Sequence, residues 1–173
     1  MRRNTKPLTI SGVIRRESKT DPRPAYQTGP RWSTKQKQLL IDSILRDLDI
    51  PKFYLRVLAD SKFEYEVVDG QQRLRAIWEF AHNDYKLDKN ADLLNDETEI
   101  SGLSYQQFSD DLKDRFNEYQ LDIVELHEAS QEDVEEMFLR LQNGTTLKAA
   151  EKRNALPGNM KKFIRKLAEH EFF

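Results

Sequence analysis

The chain has 173 residues and a mass of 20.4 kDa, enough for one domain with a sizeable core and too little for two large ones. A hydrophobic fraction of 38%, a charged fraction of 34% and a mean hydropathy of -0.80 exclude a bundle of membrane-spanning helices, because no apolar run approaches bilayer length. With no cysteine there is no disulfide framework and no thiolate chemistry, and Met1-Arg2-Arg3 is not followed by an apolar signal segment, so a cytoplasmic setting is expected.

The net charge of -2 conceals an uneven distribution. Residues 1–37 carry ten Lys/Arg against Glu17 and Asp21, a net of +8. Residues 84–136 hold seventeen acids against four bases, and residues 148–166 return seven bases against Glu151. Two basic ends thus flank an acidic middle, and such ends suit either phosphate contact or plain solvated surface.

In chain order, residues 1–24 form a basic N-terminal segment whose first eight residues are expected to be loose. Leu8 to Ile14 alternates β-type residues and reads as a first strand. Pro22, Pro24, Gly29 and Pro30 mark an extended loop that ends at Arg31-Trp32. Ser33 then caps a helix running to about Leu48, with Leu40, Ile41, Ile44, Leu45 and Leu48 on its apolar face, closed by Ile50-Pro51. Phe53, Leu55 and Val57 alternate with polar neighbours and pair most simply as a hairpin with the next strand, Phe63 to Val68.

That second strand meets an Asp69-Gly70 corner and becomes a helix with Leu74, Ile77, Trp78 and Ala81 at helical spacing. Residues 83–100 read as a polar surface excursion, 104–117 as a helix, and 119–126 as a further strand. Ser130 starts a helix carrying Val134, Met137, Phe138 and Leu141, ended by Asn143-Gly144. A short helix over 147–156 and an apolar-faced one over 159–173 complete the reading, the latter suggesting a downstream region.

Chemistry concentrates at Asp69-Gly70-Gln71-Gln72-Arg73. A strand-to-helix corner presents backbone amides that lack intrahelical acceptors, and the helix dipole there favours an anion. Asp69 offers a carboxylate for Mg²⁺ or a water, Gly70 lets a ligand approach the backbone, and Arg73 is a planar fork suited to phosphate oxygens. The same residues also fit a simpler arrangement, in which Asp69 caps the helix and Arg73 pairs with Glu66 or Glu79. A second constellation, Phe138 to Gly144 followed by Glu151 to Ala155, delivers Arg140, Asn143, Glu151 and Asn154, or else is only a helix end and surface. His82, His127 and His170 lack metal-ligand spacing, and no glycine-rich phosphate loop or serine nucleophile elbow is present.

These motifs, in this order with Arg31-Trp32, Ile41-Asp42-Ser43-Ile44-Leu45 and Ile50-Pro51, resemble the N-terminal domain of GmrSD-type restriction proteins over residues 25–157. The resemblance implies an α+β fold of the ParB/sulfiredoxin-like type, a small mixed sheet with several surrounding helices. It also implies a domain that binds a nucleoside triphosphate with Mg²⁺ and hydrolyses it in defence against foreign DNA.

On that basis Asp69, Gln72 and Arg73 are the expected catalytic residues, with Asp69 also the metal ligand. Arg31, Gly70, Gln71, Arg140, Asn143, Glu151 and Asn154 are expected around the nucleotide. Relatives usually continue into an HNH-type nuclease whose histidine-rich signature is missing from this sequence, so DNA cleavage is assigned to a downstream or partner domain. Their Asn-Gly segment commonly reads Arg-Ile-Asn, whereas Gln142 precedes Asn143 here. The alternatives are a DNA-binding module that contacts the phosphate backbone without hydrolysing nucleotide, and an interaction scaffold.

Overall fold

The computed structural model describes residues 1–21, 31–59 and 61–142. They build a mixed five-stranded sheet with strand order β1-β5-β3-β4-β2. The strands are β1 (Arg2–Thr9), β2 (Thr20–Asp21), β3 (Phe53–Val57), β4 (Tyr65–Asp69) and β5 (Gln120–His127). The helices are α1 (Ile10–Arg15), α2 (Thr34–Leu45), α3 (Gln71–Ala81), α4 (Asp110–Glu118) and α5 (Gln131–Gln142). No helix among the described residues is long and apolar enough to cross a membrane.

β3 and β4 form the expected antiparallel hairpin, while β5 returns parallel to β3 after the chain has passed through α3 and α4. The two faces of the sheet bury different sets of side chains, as the period-2 alternation of a strand demands. Phe53, Leu55, Val67, Leu121 and Ile123 join the main core with apolar residues of α1 to α4. Val68, Val124 and Leu126 point to the other face, where Val134, Met137 and Phe138 of α5 cover them.

Residues 2–8 depart from the expectation of a loose segment. Arg2 to Thr9 pair with β5 over their full length, with Arg2 opposite His127 and Thr9 opposite Gln120. Arg2, Arg3, Lys6 and Pro7 thus lie on an edge strand, where charge and proline discourage further pairing. The apolar run that follows is a helix rather than a strand. The Thr9 hydroxyl accepts the Gly12 amide at 3.2 Å and caps it, and Ile10 and Val13 reach the core one turn apart.

Two further stretches are organised by what they bury. The 83–100 excursion is pinned by Leu87, Leu94 and Ile100, each no more than 3% exposed. The helix expected over 104–117 divides into a 3₁₀ turn, Tyr105–Gln107, and α4, because Phe108 leaves the helical conformation to pack 5.4 Å from Phe80. Ser109 then caps α4 through the Leu112 amide.

Candidate functional site

The Asp69–Arg73 corner lies where β4 ends and α3 begins, and its shape comes from three local features. The first is an irregularity in the hairpin. Tyr54 is level with Asp69 but Leu55 with Val67, so Val68 is an extra residue in β4. Such a bulge bends the strand and re-aims the residue after it, here Asp69.

The second feature is Gly70, which caps α3 with a φ of 94° and no side-chain hydrogen bond. A Cβ at this position would lie 2.5 Å from Cδ1 of Phe53, a fully buried ring. Glycine is therefore required twice over, by the left-handed backbone and by the ring beneath it.

The third feature is Arg73, whose guanidinium stacks over the Phe53 ring with Cζ 4.7 Å from the centroid. Its Nη2 donates to Asp69 Oδ2 at 2.8 Å, and its Nη1 donates to the backbone carbonyls of Pro51 and, at 3.3 Å, Lys52. Burial draws the guanidinium's pKa below the ordinary arginine value, and the Asp69 charge acts in the opposite direction.

The simpler arrangement allowed by the sequence takes a different form here. Asp69 does not cap the helix, and Arg73 pairs with neither Glu66 nor Glu79. Those two acids are engaged by Arg56 at 3.2 Å and Lys37 at 2.5 Å.

Gln72 joins the corner to the chain before α2, its side-chain oxygen accepting the Trp32 amide at 3.2 Å. This bond carries Arg31 to the flank of α3. The Arg31 side chain is exposed and lines a cleft of about 250 Å³ with Glu17, Arg75, Trp78, Glu79 and His82. Arg140 lies on α5, paired with Glu136 at 2.5 Å, beside Met1, Arg3 and Met137. Asn143, Glu151 and Asn154 lie outside the described residues.

Among the described residues no group of three or more acidic or histidine side chains is placed to hold a metal ion. The corner brings a single carboxylate, Asp69, with one oxygen already bonded to Arg73. Mg²⁺ keeps several waters and takes one or two carboxylates together with substrate phosphates. The donor set therefore fits an ion that arrives with its nucleotide rather than a resident one.

Sequence reasoning missed the floor and the anchor of the corner. Phe53 reads in sequence as an ordinary strand residue, and nothing in composition says that the Pro51 and Lys52 carbonyls hold Arg73. The available signal was Ile50-Pro51 directly before a strand whose first residue is aromatic.

Residues 10–156 match the family described as GmrSD restriction endonuclease, N-terminal domain. No curated protein matches the chain. Among solved structures, a C-terminally truncated chromosome-partitioning protein ParB from Caulobacter crescentus, complexed with CTP-gamma-S, is similar at 15% identity and a TM-score of 0.45. The match covers 93% of this chain and 65% of that one.

Proposed function

The chain belongs to the family of GmrSD restriction endonuclease N-terminal domains, and from that premise we propose that it binds and hydrolyses a nucleoside triphosphate within a DNA-restriction system. The observation that carries the reading is the start of α3, capped by a left-handed glycine with no side-chain hydrogen bond. Such a helix start accepts phosphate through its amides and its dipole.

In this reading Gly70 and Gln71 bring the backbone against the phosphates. Asp69 and Gln72 hold the water and the Mg²⁺ that accompanies the nucleotide, and Mg²⁺ supplies neutralisation of the charge that builds on phosphoryl oxygens. Arg73 keeps the corner in shape and adds its positive charge close by. Arg31, tied to the corner through the Trp32–Gln72 bond, Arg140 and Asn143 are assigned to nucleotide binding, with Glu151 and Asn154 as supporting residues. The domain works in the cytoplasm, and DNA cleavage falls to an HNH-type nuclease downstream or in a partner.

The test is phosphate release from each of the common nucleoside triphosphates with Mg²⁺, for the wild type and for Arg73→Ala and Asp69→Ala. Release by the wild type and its loss in both variants is expected. Equal rates in all three, or no nucleotide binding, would overturn the reading.

A second reading is favoured by one observation: Arg2, Arg3 and Arg15 are exposed and form no ion pair among the described residues. A DNA-binding module using them would show affinity that falls steeply with salt, its slope smaller by about one unit for each contacting arginine removed. Absence of DNA binding at low salt excludes it.

A further inference from the structure

The charge on Arg73 is already committed. Its guanidinium lies against Asp69 at 2.8 Å, bonds two backbone carbonyls and covers the Phe53 ring, and its side chain is only 12% exposed. A triphosphate with three or four negative charges needs further cations that can move to meet it.

The hairpin register shows where one is. Tyr54 is level with Asp69, and Phe53 lies under Gly70, so the residue before Phe53 comes level with the first turn of α3. That residue is Lys52. Its backbone carbonyl is held by Arg73, which fixes the base of the side chain, while the side chain itself is 54% exposed. Its ammonium is engaged only loosely, 3.6 Å from the equally exposed Asp122. An exposed pair at that separation contributes little and is readily exchanged.

We propose that Lys52 is the phosphate-binding cation of this corner, leaving Asp122 for the nucleotide's terminal phosphates when ligand binds, with Arg73 the residue that positions it. The proposal rests on the nucleotide reading above. It goes beyond that reading by assigning a side chain outside the Asp69–Arg73 motif and by making Asp122 a competitor for it.

The experiment measures dissociation constants for the tri-, di- and monophosphate of one nucleoside by calorimetry. It uses the wild type, Lys52→Ala, Lys52→Arg, Asp122→Asn and, as a charge-matched control, Lys89→Ala beyond the far end of α3. Lys52→Ala should weaken the triphosphate about tenfold and the monophosphate much less, because the loss is electrostatic and grows with ligand charge. Lys52→Arg should restore binding, Asp122→Asn should tighten it, and Lys89→Ala should leave it unchanged. If the wild type binds and Lys52→Ala binds equally well, or all three phosphates weaken alike, the assignment to Lys52 fails while the nucleotide reading stands. If the wild type binds none of the three, both fail together.

Discussion

Asp69 and Glu125 each hold an arginine, but one ends its strand and the other lies inside one. Asp69 closes β4 beside a glycine, with its side chain a quarter exposed and a single guanidinium at 2.8 Å. Glu125 lies within β5 with its side chain 5% exposed, and three groups converge on it: Lys6 at 2.6 Å, Arg16 at 3.5 Å and His127 at 3.5 Å. Arg16 also stacks on Tyr65, 5.3 Å from the ring centroid.

The difference separates a candidate site from a strut. Around Glu125 the partners come from β1, from the end of α1 and from β5 itself, so the carboxylate ties the edge strand and the first helix to the sheet. Around Asp69 the partners among the described residues run from Pro51 to the first turn of α3, and the helix next to them is capped by a glycine with no side-chain hydrogen bond. Changes at the corner should therefore remove ligand binding along with stability, and changes at Glu125 should remove stability alone.

The largest effect is expected from Gly70→Ala. It places a Cβ 2.5 Å from a fully buried ring and forces an L side chain to a φ of 94°. Left-handed strain and overpacking together should lower unfolding stability by about 2–4 kcal/mol. Denaturant titration measures that loss. Calorimetry below the midpoint should show nucleotide affinity gone from the fraction that is still folded, and intact affinity there would mean that the corner does not contact phosphate.

Glu125→Gln is the matching change in the strut. It removes a buried charge whose nearest partner, Lys6, is about one-third exposed and can rehydrate. The stability cost should be about 1–3 kcal/mol, below that of an ion pair whose surviving partner stays buried. Nucleotide affinity at a temperature where the variant is folded should equal that of the wild type. A selective loss of affinity with unchanged stability would erase the distinction between the two regions.

The corner was legible in the sequence because its signals are local. An alternating strand, an Asp-Gly turn and a helical apolar spacing are all contained in Phe63 to Ala81, and α2, α3 and α5 likewise begin where their capping patterns end. The strut was not legible. Glu125 gave no sign of being buried, since nothing nearby in sequence distinguishes it from the other acids of residues 84–136. Its partners Lys6 and Arg16 are more than a hundred residues away, on a strand and at the end of a helix formed where a loose tail and a strand were expected. Residues 2–9 have little strand pattern of their own and owe their conformation to β5, a tertiary effect that local propensity does not contain. The Val68 bulge is hidden for the same reason, because a register shift exists only between two strands.

A third carboxylate calibrates the comparison from its weak end. Asp96 is exposed on the excursion after α3, yet its pKa is drawn down to about 2, first by the hydrogen bond from Arg115 and then by the Thr98 side chain and backbone. An unfolded aspartate titrates near 3.9, so the folded state holds the proton less tightly than the unfolded one. The contribution is thus present in full above about pH 4 and is lost as pH falls from there toward about 2. Solvent and salt screen it, and it should be the smallest of the effects considered. Arg115→Ala should flatten the acid limb of the stability curve between about pH 4 and 2 and leave the neutral plateau almost unchanged. An identical acid limb in wild type and variant would show that an exposed pair here carries no measurable stability, and that burial, as at Glu125, is what makes a carboxylate of this protein structural.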